Sequence, residues 1–545
     1  MFWDETTKEA IGWTDIWGQF LPLSKPGQRV RRQACAYLPD QREAWEVAMR
    51  DWQQVREAAR DAQWAKSCRD AFARLPDVLP ILNLLRQGAS VRVVDVFELK
   101  TFLWHGRELQ ALQTFAWWPA LDWEVLLRLL NPGGTLVPTF SLADLQDQTL
   151  NALQDDLQRL DAEVYRGRKE QTDSLCQKFG RAPTRDGLFI VEKNQADLEH
   201  PDLRLQSVNL FEAVFEVIEP PRVRELQAER ERVLMRIEDR EAEVLQGLVE
   251  QLAPHVEVVE KMYDACGRFD WAFAKATVAM KWEAGVTAWL DGQRDAEPAS
   301  ADGNSVEAST ALAPWFVLSG WHPTARTTVE SRGGTFTPLD LTLSPGVGLI
   351  TGPNMGGKTV SLKTLGLLQA LAQHALPVPA AEFRFHPVER IGWSGGDEQS
   401  LVSGLSSFGA EMQRLATLLH TPGHALLLLD EVARTTNPEE GEALAVGLAK
   451  YLRSSAHTAL FASHFPGVTQ VSGLQGFRVA GLRPDVLTAW ELTGHPPDPD
   501  RLLADLQQAM DYRLLPAQGL EFPRDALRIA RLFGLPEEIT RKEGQ

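Results

Sequence analysis

Residues 351–359 read Thr-Gly-Pro-Asn-Met-Gly-Gly-Lys-Thr, after an apolar run at 348–350 and before leucines at helical spacing. This strand–loop–helix setting is the one in which G-x-x-x-x-G-K-[ST] cradles phosphate. Gly352 and Gly357 let the backbone bend so that its N–H groups point at phosphate oxygens. Lys358 is placed to reach the β- and γ-phosphates and Thr359 to hold Mg²⁺, while the helix N-terminus adds its dipole.

A second motif lies roughly 70 residues further on, where Ala425-Leu426-Leu427-Leu428-Leu429 runs into Asp430-Glu431. An apolar run that ends in two acids is typical of a buried parallel strand, which delivers carboxylates to its C-terminal edge. Asp430 is predicted to bind Mg²⁺, directly or through water. Glu431 is predicted to orient and activate an attacking water. The spacing from the phosphate loop supports reading the two motifs together.

Two weaker signals accompany these motifs. The loop at 401–409 carries hydroxyls and glycine just ahead of a helical pattern, so Ser406 and Ser407 can donate to a phosphate, here one bound by a second subunit. A helix cap formed by Ser407 explains the same pattern. His464 ends another apolar run at 459–463, where it either senses the γ-phosphate or is structural.

Composition indicates a large intracellular protein. The chain has 545 residues, a hydrophobic fraction of 44% and a formal net charge of −18. No N-terminal segment resembles a signal peptide and no apolar stretch is long enough to span a membrane, so we expect a cytoplasmic protein without a membrane partner. The four cysteines are widely spaced, which is typical of reduced core residues. The acidic charge opposes nucleic-acid binding except through a local basic patch.

The motifs T-G-P-N-M-G-G-K-T, L-L-L-L-D-E-V-A-R-T-T-N-P-E-E-G and L-F-A-S-H-F occur in this order, and they resemble the ATPase domain of the MutS family, a branch of the ABC ATPases. The resemblance covers about residues 315–540. It reaches upstream to Trp321-His322-Pro323, where the family usually has Arg-His-Pro, and downstream to 528–536, which is similar to the helical dimer segment of the family.

The resemblance implies ATP and Mg²⁺ as cofactors and a homodimer with composite sites. It implies that Ser406 acts in trans on the partner's nucleotide, that His464 is the switch histidine, and that Lys358, Glu431 and His464 serve hydrolysis. Thr359 and Asp430 are the implied metal ligands. The implied nucleotide-binding residues are Gly352, Pro353, Asn354, Met355, Gly356, Gly357, Lys358, Thr359 and Val360.

Departures from the mismatch-repair pattern favour a shorter MutS-related branch. No Phe-x-Glu precedes the linker, and nothing after residue 483 resembles a Smr nuclease domain, so we expect neither a mismatch-reading nor a nuclease domain. The leading hypothesis is an ATP-driven switch acting on DNA in mismatch repair or recombination. The alternative, a resemblance to ATPases thought to reactivate cobalamin-dependent aminomutases, implies a protein client. Residues 161–220 hold eight Lys/Arg against twelve Asp/Glu, a net charge of −4 that favours the alternative.

We therefore predict a multidomain α and α/β protein with a helical N-terminal half and an ABC-type P-loop α/β ATPase domain in the C-terminal half. The predicted segments are a helical core and lever (1–160), a clamp-like insertion with helical arms (161–255), returning lever helices (256–290), a flexible linker (291–312), the ATPase domain (313–485) and a C-terminal helical dimerisation segment (486–545). Within the insertion, short apolar runs at 188–191 and 214–218 predict strands.

Overall fold

The structure, a computed structural model, describes residues 2–132, 134, 136–192, 200–290, 312–353, 357–395, 407–483, 509–517, 530 and 535–540. The helices are α1 Glu5–Ala10, α2 Trp13–Trp17, α3 Lys25–Gln33, α4 Arg42–Ala58, α5 Ala62–Ala73, α6 Leu79–Gln87, α7 Val93–Leu112, α8 Trp123–Leu129, α9 Gln148–Phe179, α10 Pro221–Leu252, α11 Val256–Lys281, α12 Pro323–Ser331, α13 Lys358–Gln373, α14 Ser407–His420 and α15 Pro438–Ser454. A short helix spans Glu537–Thr540, and 3₁₀ turns span Leu142–Leu145, Ala253–His255 and Pro466–Gln470. In the described part of the chain, no helix is long and apolar enough to cross a membrane.

The strands are β1 Leu188–Glu192, β2 Leu203–Val208, β3 Glu212–Val217, β4 Val286–Trp289, β5 Trp315–Gly320, β6 Leu339–Leu343, β7 Val347–Thr351, β8 Glu382–Phe385, β9 Arg390–Gly395, β10 Ala425–Asp430, β11 Thr458–Ala462, β12 Gln475–Leu482 and β13 Met510–Pro516. Helices and sheets are thus mixed, as predicted. The predicted linker at 291–312 lies outside the described residues except for Leu312.

The chain divides into two compact units. The first contains Met1–Leu23, Gly27–Lys66 and Gly267–Gln545, and the second contains Ser24–Pro26 and Ser67–Cys266. Both predicted sequence motifs lie in the first unit. The bounds of the units differ from those of the segments proposed from the sequence, whose functional assignments remain predictions.

The first unit is built around a six-stranded sheet in the order β13-β12-β7-β11-β10-β9. The strands from β12 to β9 pair in parallel, and β13 adds an antiparallel edge. Every residue of β7, β10 and β11 is buried, because parallel strands are covered on both faces and read as continuous apolar runs. Because β7, β11 and β10 are parallel, their carboxyl ends lie at one edge of the sheet, where the phosphate loop begins and where Asp430 and Glu431 lie.

Two segments predicted as helical each contain a strand, although the first of them is helical over most of its length, as α11. Val286–Trp289, in the predicted lever 256–290, pairs in parallel with β8 in a four-stranded sheet of order β4-β8-β5-β6. Gly285 permits this pairing, because a Cβ there would lie 1.9 Å from Ala381 O. Met510–Pro516, in the predicted helical segment 486–545, pairs with β12 and buries Leu514 opposite Val479. Backbone pairing with distant strands decides both elements, and a local helical pattern does not reveal it.

The second unit contains a long helix pair and a small sheet. Asp161 contacts Arg230 and Asp147 contacts Arg240, so α9 and α10 run antiparallel. The chain between α9 and α10 forms an antiparallel sheet of order β1-β3-β2, whose small hydrophobic core includes Phe189 and Phe215. The strands predicted at 188–191 and 214–218 are confirmed as β1 and β3, and β2 is an additional strand.

Candidate functional site

The phosphate-loop motif joins β7 to α13. Gly352 has a φ of 144° and Gly357 a φ of 84°, both in the left-handed half of backbone space that glycine adopts without strain. A Cβ on Gly352 would lie 2.9 Å from Val479 Cβ, so the loop also passes close to β12. Pro353 and Val360 are both described, and Val360 lies in α13. Asn354, Met355 and Gly356 lie outside the described residues.

Lys358 is the first residue of α13, and its side chain is only 3% exposed. Its Nζ donates to Gly352 O at 2.9 Å and lies 3.1 Å from Glu431 Oε1. A buried ammonium requires such partners, because water cannot solvate its charge. The lysine therefore ties the phosphate loop to the acidic motif at the end of β10.

Thr359 and Asp430 form the second contact between the motifs. Thr359 Oγ1 donates to Asp430 Oδ2 at 2.7 Å, and Asp430 is 7% exposed. Burial raises the pKa of the Asp430 carboxyl; the neighbouring Glu431 acts in the same direction, while Thr359 and Lys358 oppose the shift. Asp430 Oδ1 is buried, and no described residue makes a hydrogen bond to it.

The donor set fits Mg²⁺. A magnesium ion bound with a nucleotide takes one or two protein oxygens together with phosphates and water. Thr359 Oγ1 and the buried, unsatisfied Asp430 Oδ1 are oxygens of this type on one edge of the sheet. Among the described residues there is no cluster of three or more His, Cys, Asp or Glu that could hold a metal ion.

Glu431 occupies a constrained position just beyond β10. Its φ is 51°, unusual for a residue with a side chain, and its amide donates to Ala462 O at 2.9 Å. The carboxylate contacts Lys358 at 3.1 Å and Arg434 at 3.2 Å. Burial acts to raise the pKa of Glu431, but Lys358 and Arg434 outweigh it, and the net pKa is lowered. Glu431 is therefore ionised at neutral pH.

His464 completes the group at the end of β11. Burial lowers the pKa of the imidazole, the Glu431 carboxylate acts to raise it, and Lys358 and Arg434 lower it further. The ring packs on Phe465 with centroids 4.1 Å apart, and Nδ1 is buried without a hydrogen bond from the described residues. His464 is thus neutral at pH 7 and lies within the electrostatic field of the acidic motif.

The remaining predicted residues fall elsewhere. Ser406 lies outside the described residues, and Ser407 is described only as the start of α14. His322 caps α12 and its Nε2 lies 3.0 Å from Ile11 O, which is a structural role. Trp321, the departure from Arg-His-Pro, packs under Arg326 with 4.7 Å from Cζ to the ring centroid.

Sequence reasoning missed three residues beside the site. Arg434 pairs with Glu431, Glu411 Oε1 accepts from Ala433 N at 3.1 Å, and Tyr512 Cδ1 lies 3.4 Å from the position of a Cβ on Gly357. The spacing of Arg434, three residues after Glu431, could have indicated the ion pair. No local signal indicates Glu411 or Tyr512, because distant elements bring them to the loop.

Comparison with known proteins finds similarity over the same region of the chain. The family model described as MutS domain V matches residues 348–483, which hold both motifs and His464. The chain is 30% identical to Endonuclease MutS2 of Thermomicrobium roseum over 428 residues, 76% of this chain and 48% of that protein. This chain belongs to the MutS family.

Two further relatives carry the same name. Endonuclease MutS2 of Lactiplantibacillus plantarum is 30% identical over 302 residues, 55% of this chain and 33% of the relative. Endonuclease MutS2 of Gemmatimonas aurantiaca is 31% identical over 258 residues, 45% of this chain and 28% of the relative. The chain therefore spans half or less of the curated relatives that it matches.

Proposed function

We propose that this MutS-family chain is an ATPase that uses Mg²⁺. The observation that carries the proposal is the meeting of the two motifs, with Thr359 Oγ1 2.7 Å from Asp430 Oδ2 and Lys358 Nζ 3.1 Å from Glu431 Oε1. A phosphate loop beside two carboxylates at the edge of a parallel sheet is the arrangement used for phosphoryl transfer.

Each residue has a role in this proposal. Bound Mg²⁺ would neutralise charge on the β- and γ-phosphate oxygens. Thr359 and Asp430 would supply protein oxygens to the ion, and Lys358 would exchange its bonds to Gly352 O and Glu431 for phosphate oxygens. Glu431, ionised because of its cationic neighbours, would orient a water and accept its proton. His464, neutral at pH 7, would donate a hydrogen bond toward the γ-phosphate.

The contact between Lys358 and Glu431 supports an ordered cycle. While the lysine holds the carboxylate, Glu431 cannot accept a proton as readily, because the ion pair stabilises its charged form. A nucleotide phosphate competes for Lys358 and so frees the carboxylate. Binding of substrate would thereby prepare the base.

DNA is the proposed partner of the ATPase, and a homodimer with Ser406 acting in trans is the proposed assembly. Support comes from membership of the MutS family and from relatives named Endonuclease MutS2. In this reading, ATP drives a conformational switch that acts on branched or duplex DNA.

A protein client is the second candidate, favoured by the clamp-like region. Residues 161–220 carry a net charge of −4, which is unsuited to a phosphate backbone. The turn between β2 and β3 presents Leu210 and Phe211 at 82% and 79% exposure. Exposed apolar side chains in acidic surroundings are more suited to a protein surface than to nucleic acid.

The test is the ATP hydrolysis rate at low and at physiological salt, with and without duplex, branched and single-stranded DNA. Stimulation by DNA that weakens as salt rises supports the DNA-directed switch, because counterion release makes such binding salt-dependent. A rate that no DNA changes favours the protein client. Lys358→Ala is the control, and hydrolysis that persists in it would contradict the assigned site.

A further inference from the structure

Helix α14 contacts the loop that carries the proposed base. Glu411 Oε1 accepts a hydrogen bond from Ala433 N at 3.1 Å. Ala433 lies two residues after Glu431, and the two have φ values of 65° and 51°. Left-handed conformations are uncommon for residues with side chains and persist where the surroundings hold them. A carboxylate that accepts from the Ala433 amide is such a constraint.

Backbone hydrogen bonds and a close contact with α15 also hold the loop that follows β10. Glu431 N donates to Ala462 O at 2.9 Å and Arg434 N donates to Glu431 O at 3.3 Å. A Cβ on Gly441 would lie 2.8 Å from Ala433 O, so α15 closes the loop from its other side. Glu411 adds a charged acceptor, and hydrogen bonds to charged groups are stronger than those between neutral groups.

One turn further along α14, Arg414 binds the helix to other elements. Its Nε donates to Trp393 O at 2.7 Å, and its Nη2 donates to Asp4 Oδ1 at 2.9 Å and to Thr7 Oγ1 at 3.2 Å. The arginine side chain is 13% exposed. Residues three apart on a helix lie on the same face, so Arg414 and Glu411 occupy neighbouring positions on α14.

The N-terminal segment, residues 2–10, is also hydrogen-bonded to β9. Ile391 N donates to Phe2 O at 2.8 Å and Trp393 N donates to Thr7 Oγ1 at 3.1 Å. Strand β9 pairs with β10, which ends in the acidic motif. A single set of contacts therefore joins the N-terminal segment, α14 and the loop after β10.

We propose that Glu411 is a positioning residue that holds Glu431 in place through the Ala433 amide, with Arg414 fixing α14 to the N-terminal segment. The proposal rests on the ATPase function proposed above. Glu411 touches no reacting atom; it sets the backbone from which the base projects. Misplacement of a catalytic group by about 1 Å can lower the rate about 100-fold.

The test compares Glu411→Ala with Glu411→Gln and with Gln413→Ala, an exposed control on the same helix. We expect Glu411→Ala to lower kcat about 10- to 100-fold, with KM and the affinity for a fluorescent ADP analogue within about twofold of wild type. Glu411→Gln keeps an oxygen acceptor, so its kcat should stay within a few-fold of wild type. Gln413→Ala should match wild type.

Amide hydrogen exchange gives an independent readout. Exchange at Ala433 should accelerate in Glu411→Ala and remain slow in Glu411→Gln and in Gln413→Ala. Arg414→Ala should accelerate it to a smaller extent, because Glu411 remains and the hydrogen bond from Trp393 N to Thr7 Oγ1 still joins β9 to the N-terminal segment. These changes are expected in nucleotide-free protein and do not depend on hydrolysis.

Two outcomes would overturn the positioning role of Glu411 and leave the proposed ATPase function intact. The first is a wild-type enzyme that hydrolyses ATP beside a Glu411→Ala variant with unchanged kcat. The second is equal loss of kcat, ADP affinity and Tm in both Glu411 variants, which would indicate a general structural role. A wild-type protein that hydrolyses no ATP overturns the proposed function, and the inference with it.

Discussion

The proposed site depends on the charges of Lys358 and Glu431, and in this structure these two side chains form an ion pair. The Lys358 side chain is 3% exposed, and its Nζ contacts Gly352 O and Glu431 Oε1 among its partners. Removing one partner of a buried pair leaves the other charge uncompensated. The pair therefore stabilises the site in the nucleotide-free protein and couples the phosphate loop to the proposed base, Glu431.

Glycine at position 357 is required by backbone geometry. Its φ of 84° strains any residue with a Cβ, by about 1–2 kcal/mol. In Gly357→Ala the nucleotide-free loop is expected to relax out of this conformation, and binding must restore it. ATP should therefore bind more weakly, by about 5- to 30-fold, since about 1.4 kcal/mol corresponds to tenfold. Titration with a fluorescent ATP analogue measures this.

Gly447→Ala is the matched control, because Gly447 lies in α15 and a Cβ there meets nothing within 4 Å. Alanine in a helix interior is more stable than glycine by about 0.5–1 kcal/mol. Gly447→Ala should leave the affinity unchanged and raise Tm slightly. Equal affinities in the two variants would contradict the geometry assigned to the loop.

Asp430 should make the nucleotide-free protein less stable as pH rises. Its folded-state pKa is raised, chiefly by burial, so the folded state binds a proton more readily than the unfolded state. The penalty for burying the charge appears as pH rises through the folded pKa and is complete above it. Asp430→Asn removes this penalty and should therefore raise Tm at about pH 7.5.

Thermal unfolding of both proteins from about pH 4, near the unfolded pKa of an aspartate, to about pH 8 tests this prediction. The gain in Tm from Asp430→Asn should shrink toward the acidic end of the series. A gain that grows on acidification would contradict the raised pKa. Loss of Mg²⁺-dependent nucleotide binding in the same variant is expected, because Asp430 Oδ1 is the proposed ligand.

At the scale of elements, the edge strand β13 completes the sheet beside the phosphate loop. Leu514 is buried opposite Val479, and Tyr512 lies against Gly357. Truncating a buried leucine typically costs about 2–5 kcal/mol. We expect Leu514→Ala to destabilise the first unit near the lower end of this range, because β13 is an edge strand. Chemical denaturation measures the loss.

The neighbouring Leu515, only partly buried, is the control for that experiment. Leu515→Ala should cost clearly less than Leu514→Ala. Equal costs, or none in either variant, would show that β13 does not pack as described. The comparison also tests the correction from helix to strand in this segment.

The sequence predicted those elements whose apolar or glycine pattern lies within one short stretch of the chain. The run Ala425–Leu429 followed by two acids predicted a buried parallel strand, and β10 is one. The glycines of the phosphate loop likewise predicted the turn into α13. Strands β4 and β13 escaped prediction, because each exists through pairing with a strand far away in the chain. Glu411 escaped for the same reason, since its partner is a backbone amide in another segment.

At the scale of the whole molecule, the proposed dimer predicts complementation between two inactive variants. Ser406→Ala subunits keep an intact phosphate loop, and Lys358→Ala subunits keep an intact Ser406. If Ser406 acts on the partner's nucleotide, a mixed dimer has one site that combines Lys358 with Ser406. Mixing the variants should restore up to about half of the wild-type rate per dimer.

The control mixes each variant with itself at the same total concentration, and purification through two different tags isolates the mixed dimer. Recovery in the mixed dimer alone supports composite sites. Absence of recovery in a verified mixed dimer would contradict action in trans and leave the assignments within one subunit untouched.

Glu431 is the proposed base for hydrolysis at a Mg²⁺-dependent ATP site, and phosphate release by wild type and Glu431→Gln tests that role. With Mg²⁺ present, wild type should turn over ATP. Glu431→Gln should bind ATP with similar affinity and hydrolyse it about 10²–10⁴-fold more slowly, as expected for loss of a general base. EDTA should abolish turnover in both. Wild-type rates in Glu431→Gln would contradict its role as the base, and turnover that persists in EDTA would contradict a Mg²⁺-dependent site.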